Sequence, residues 1–112
     1  MASTDTHIDI GIVVRDIDAC LPFYRDVLGL PAIADFKLPG GSHLWQFACG
    51  PCVVKLVTHE PAPAPANPPG GSRGGTGLRY WTMGVGDIEA AVAKCEAAGA
   101  SIPLGVTQLA PG

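Results

Sequence analysis

The side chains able to do chemistry in this chain are few and scattered. Histidines stand at 7, 43 and 59, cysteines at 20, 49, 52 and 95, and Lys55 interrupts the aliphatic run VVKLV. Cys49-Gly50-Pro51-Cys52 has the spacing of a redox dithiol, chemistry that depends on a low-pKa thiolate held at a helix N-terminus. The residues that follow, Val53 to Val57, favour a strand, and Gly-Pro between two such runs reads as a hairpin turn. A turn is therefore expected, with a reversible dithiol as the alternative. Cys20 and Cys95 fall within helical patterns and read as small buried hydrophobes.

The elements that must position these groups announce themselves by repetition. Asp9 to Leu30, DIGIVVRDIDACLPFYRDVLGL, reads as a strand turning at Asp16 into a short helix that stops at Gly29. A weaker copy returns as Tyr80 to Gly99, YWTMGVGDIEAAVAKCEAAG, with Val14, Asp16, Ile17 and Ala19 falling on Val85, Asp87, Ile88 and Ala90. Two copies of one strand–helix unit imply two similar modules around one core. Asp16 and Asp87 are the expected helix caps, since a carboxylate there accepts from the first orphan N–H groups. Pro22 lacks an N–H, so the first helix proper is expected to begin near Cys20.

Three further strands are expected before the repeat: Ala32–Lys37, then His43–Ala48 and Cys52–Thr58 about the Gly-Pro turn. The segment from His59 to Gly77, HEPAPAPANPPGGSRGGTG, is proline-rich, then glycine-rich. Such composition predicts an extended first half and flexible coil after it, a linker over residues 61–77 rather than a lid. Module one thus spans about 7–60 and a partial module two 78–112. In the latter, Tyr80–Val85 reads as a strand, Ile88–Ala98 as a helix and Ser101–Gln108 as one more strand, broken by Pro103 and Gly105.

Composition excludes several function classes. A chain of 112 residues forms one domain, and its formal charge of -3 leaves no basic footprint for nucleic acid. The seven Lys and Arg residues are dispersed, no apolar run approaches membrane-spanning length, and the polar opening MASTDTHID is unlike a signal peptide. A soluble cytoplasmic protein that binds neither nucleic acid nor membrane is expected. Alternation puts Asp9, Gly11 and Val13 on one face of the first strand, Val53, Lys55, Val57 and His59 on one face of the fourth, and Tyr80, Thr82 and Gly84 on the matching face of the fifth.

The opening module, with Phe23-Tyr24 and Leu28-Gly29-Leu30, resembles the vicinal oxygen chelate superfamily, which includes glyoxalase I, bleomycin-resistance proteins, fosfomycin-resistance enzymes and extradiol dioxygenases. The resemblance implies an α+β fold in which paired βαβββ modules form a curved mixed sheet around a cup, helices outside, with the second module incomplete. It also implies a homodimer. In metal-using members the ligands project into the cup from the first and last strands of each module. Carried over, those positions are Asp9, Lys55 and Tyr80, while the fourth would lie in a final strand that the sequence does not reach. A lysine ammonium has no lone pair and repels a cation, so no cofactor is expected and a divalent metal is disfavoured. The three histidines occupy no matching position.

The expected site is thus a cup with Asp9 as the counter-ion of Lys55, Tyr80 beside them, and Trp45, Phe47, Val57, His59 and Thr82 as ligand-contacting walls. Two functions fit it. One is a metal-independent small-molecule binding protein of the glyoxalase/bleomycin-resistance type. The other is a lyase or isomerase acting on a carbonyl compound, metal-dependent or with Lys55 replacing the metal, Tyr80 donating a proton and Asp9 acting as base.

Overall fold

A computed structural model describes residues 6–103 and 105–107. The chain opens with strand β1 (Ile10–Val13) and turns at Asp16 into helix α1 (Ile17–Pro22). The Asp16 carboxylate accepts from the Ala19 N–H at 3.2 Å, so the helix starts three residues earlier than the proline suggested. Pro22 is accommodated at its far end. There the chain widens into a π-turn over Phe23–Val27, with the Leu28 N–H reaching the Phe23 carbonyl at 2.9 Å. Gly29, at φ 70°, ends the unit.

Strands β2 (Ala32–Leu38), β3 (Ser42–Cys49) and β4 (Cys52–His59) follow, each close to its expected span. Among the described residues the sheet has four strands in the order β1-β4-β3-β2, with β1 parallel to β4 and the other pairs antiparallel. It is mixed, curved and unclosed, with α1 against β4, the α+β architecture expected. Cys49 pairs with Cys52 across a two-residue turn whose first corner, Gly50, sits at φ 58°. Both cysteines are free thiols on strands, in the hairpin context that the flanking residues predict.

The core lies between the sheet and α1. Phe47, Val54, Leu56 and Leu30 are buried, and Ile12, Ile17, Cys20, Leu21, Tyr24 and Leu28 pack around them. Burial pushes the Cys20 thiol above its usual 9.0, with the Asp16 charge adding to the shift. Burial likewise pushes the Tyr24 phenol above 10.0, with Cys20 adding to it. Both groups hold their protons more tightly when folded, so their contribution is complete below pH 9 and is lost as pH rises through the folded values. Thermal midpoints should therefore be level from pH 7 to about 8 and fall beyond about 9, and Cys20→Ala should soften the first part of that fall. A midpoint that climbs above pH 9 would contradict this environment for the pair.

The repeat half differs from expectation at both of its expected strands. Helix α2 (Ile88–Ala97) forms as the pattern predicts, capped by Asp87 on the Ala90 N–H at 3.0 Å. Tyr80–Val85 is not a strand: a cleft of about 450 Å³ separates Leu78–Trp81 from β1, so its backbone has no ladder partner. Its alternation survives, with Tyr80 and Thr82 exposed while Trp81 and Met83 pack against the core. Of the strand expected over residues 101–108, positions 104 and 108 lie outside the described residues, and the others form no strand.

The segment 61–77 is pinned by two arginines rather than left loose. Arg15 donates to the carbonyls of Pro63 and Ala64. Arg79 donates to the carbonyls of Gly71, Pro68 and Pro69 and to the Asn67 side chain. Gly71–Arg73 forms a 3-10 turn within this strap.

Candidate functional site on the open face of the sheet

Strand register sorts the side chains into two faces. Val54 and Leu56 on β4 point to the core, so Lys55 points to the face away from the helices. Cross-strand partners share a face, and three rows can be read across it. The first row is Ala34, Gln46, Lys55 and Gly11; beside it run Phe36, Leu44, Val57 and Val13; beyond that lie Leu38, Ser42 and His59.

The structure brings Asp9 and Lys55 together. Lys55 Nζ lies 3.9 Å from Asp9 Oδ2, a loose ion pair with both side chains about one-third exposed. The other carboxylate oxygen, Oδ1, accepts from the Val53 N–H at 3.0 Å and lies 3.9 Å from His7 Nε2. That hydrogen bond ties the residue before β1 to β4 and fixes the carboxylate beside the ammonium. At 3.9 Å the contact to Asp9 is too long for a hydrogen bond, and Lys55 makes none among the described residues. Its three donors are available to a ligand. Gly11, its partner on β1, leaves the space above it open.

Val57 lies on this face as expected, as does His59, whose Nδ1 hydrogen-bonds Ser42 Oγ at 2.8 Å. Tyr80 lines the cleft beyond β1 together with Gly11 and Val13 and is 75 % exposed; Thr82 is exposed two residues on. Lys55 lies outside that cleft, and outside a second one of about 620 Å³ between His59, Arg15 and the proline-rich strap.

The expected aromatic wall is corrected. Phe47 pairs with Val54 and is 1 % exposed, so it belongs to the core. Trp45 pairs with Leu56 on the same helix-side face, where His43 stacks on it with ring centroids 3.8 Å apart and hydrogen-bonds Asp35. The aromatic residue on the Lys55 face is Phe36, and its neighbours Leu44 and Gln46 were likewise missed. Counting back from the Gly50-Pro51 turn pairs Gln46 with Lys55, a signal present in the sequence all along.

The donor set does not fit a divalent metal. Asp9 and His7 supply two donors, but the third side chain at that place is an ammonium, and a protein site ordinarily supplies three or four ligands. No group of three or more His, Cys, Asp or Glu side chains suited to a metal occurs among the described residues. Nor is any helix among them long and apolar enough to cross a membrane.

Comparison with known proteins agrees with this architecture. The chain is similar in fold to SMU.1112c, with a TM-score of 0.70 and 22% identity over 87% of this chain and 77% of that one. It is similar also to a glyoxalase family protein from Enterococcus faecalis, with a TM-score of 0.62 and 21% identity over 92% and 79% of the two chains. A lactoylglutathione lyase from Agrobacterium tumefaciens aligns with a TM-score of 0.48 and 29% identity, over 85% and 72%. No curated protein matches the chain. The sequence model of one superfamily matches residues 6–108, nearly the whole length. The chain belongs to the Glyoxalase/Bleomycin resistance protein/Dioxygenase superfamily.

Proposed function

We propose that this protein is a cytoplasmic, homodimeric small-molecule binding protein that works without the family's metal ion. The observation carrying this reading is Lys55, a cation with no hydrogen bond from its ammonium among the described residues, at a position where the family resemblance implies a metal ligand, set on an otherwise largely apolar face. Val57, Leu44 and Phe36 supply the surface against which an apolar ligand body is desolvated, His59 borders it, and Tyr80 and Thr82 approach from beyond β1. The carbonyl lyase or isomerase has less support. Asp9, its required base, already accepts from the Val53 N–H and faces Lys55 with its second oxygen.

The test is a thermal-shift screen of apolar and amphiphilic compounds, run before and after exhaustive chelation, with the mass of the same sample read by light scattering. Hits should survive chelation unchanged and the mass should be that of a dimer. Hits that vanish with EDTA and return with zinc or manganese would end the metal-free reading, and a monomer mass would end the dimeric one.

A further inference from the structure

Resting on that reading, we propose that the ligand is a monoanionic amphiphile: an aromatic or branched carboxylate whose charge sits on Lys55 and whose apolar body lies across Val57, Leu44 and Phe36. Three observations converge on this class. The Lys55 ammonium makes no hydrogen bond among the described residues, and its contact with Asp9 is a loose 3.9 Å pair. Gln46, its partner on β3, adds an amide side chain on the same face. Gly11, its partner on β1, leaves that side unfilled, with nothing within 4 Å of where a Cβ would stand. An oxyanion can therefore take donors from Lys55 and Gln46 while approaching over Gly11.

The neighbouring row sets the shape of the remainder. Val57 lies two residues from Lys55 along β4, roughly 7 Å away, and the row from Val57 through Leu44 to Phe36 crosses two strand spacings, about 10 Å. That is room for one or two fused rings or a short branched chain. Val13 extends the row at its other end and is 53% exposed, while Phe36 is 41% exposed, so both retain surface for a ligand to cover.

Charge decides between anions. Asp9 already balances Lys55, and its oxygen Oδ1 is held in place by the Val53 N–H, so it cannot swing away. A bound carboxylate leaves the cluster with one net negative charge, shared between two acids around a single ammonium. A phosphate monoester, carrying close to two charges, would leave about one more, beside a fixed carboxylate and partly removed from water. The face should accept the carboxylate and discriminate against the phosphate.

The experiment is calorimetric titration of the full chain, at about pH 8, with naphthoate, naphthyl phosphate and naphthylmethanol, which share a ring system and differ in charge. Naphthoate should bind about tenfold or more tightly than either of the others, the scale of one hydrogen bond to a charged group. Lys55→Met should remove that advantage, bringing naphthoate to or below the affinity of naphthylmethanol for the same variant, and Lys55→Arg should keep most of it. The comparison on the unaltered protein stands even if a variant fails to fold. Equal affinity for all three, tighter binding of the phosphate, or a Lys55→Met variant that keeps the preference would overturn the carboxylate assignment and leave the binding reading intact. No measurable binding of any of the three, with the protein folded, would overturn the assignment. The thermal-shift screen, read separately, then decides whether the binding reading falls with it.

Discussion

Phe47→Ala will destabilise this protein by about 3–5 kcal/mol, enough to remove much of the stability that a small domain has. Phe47 is 1 % exposed and is the largest of the four buried residues among those described, so its loss opens a cavity that few neighbours can collapse to fill. In urea the midpoint should fall by on the order of 2 M, with little change in slope. Phe36→Ala provides the contrast, because Phe36 is 41% exposed on the opposite face and should cost less than about 1 kcal/mol. A larger loss for Phe36→Ala than for Phe47→Ala would mean that the faces are inverted, and with them the placement of Lys55 away from the core. The same pair therefore measures packing and checks the geometry of the site.

Arg79→Ala should release the strap that runs from Asn67 to Arg73. Its guanidinium donates at 2.9 Å to the Gly71 carbonyl, at 2.6 Å to that of Pro68 and at 3.2 Å to the Asn67 side chain, with a longer fourth contact to Pro69. Few side chains pack on this segment, so these bonds dominate its local opening free energy. Losing them should lower that free energy by about 2 kcal/mol, which speeds trypsin cleavage after Arg73 on the order of thirtyfold. Gly74→Ala should act alike, because a Cβ there would stand 1.9 Å from the Pro69 carbonyl oxygen. Arg15→Ala should leave cleavage after Arg73 nearly unchanged, since Arg15 holds only the earlier part at Pro63 and Ala64. If cleavage in Arg79→Ala matches that of the unaltered chain, the strap is held by something other than this arginine. The polyproline and glycine composition alone suggested a plain linker; two arginines from outside it make it an ordered connection.

Much was written locally. Asp16 and Asp87 each stand where a carboxylate can close the first turn of a helix, and each does so. The Gly50-Pro51 corner between two β-branched runs specified a hairpin, and a two-residue turn sets the register of everything behind it. Alternation on β4 placed Lys55 opposite Val54 and Leu56, and Asp9 lies beside it. These are interactions over a few residues, or consequences of a two-residue period, and neighbours in the chain suffice to dictate them.

Tertiary structure decided the rest. Alternation divides each strand into two sets but does not say which set meets the helices; the hairpin register puts Trp45 and Phe47 on the face of Leu56 and Val54, and only the packing of α1 makes that face the buried one. Tyr80–Val85 has the composition of a strand, yet a strand exists only where a neighbour takes its N–H and C=O groups, and β1 stands across a cleft from its first residues. The packing of α1 on β4 chose the buried face, and that choice left Phe36, Leu44, Gln46 and Lys55 together on the other. Local signals name the elements; only long-range pairing says which of their side chains meet.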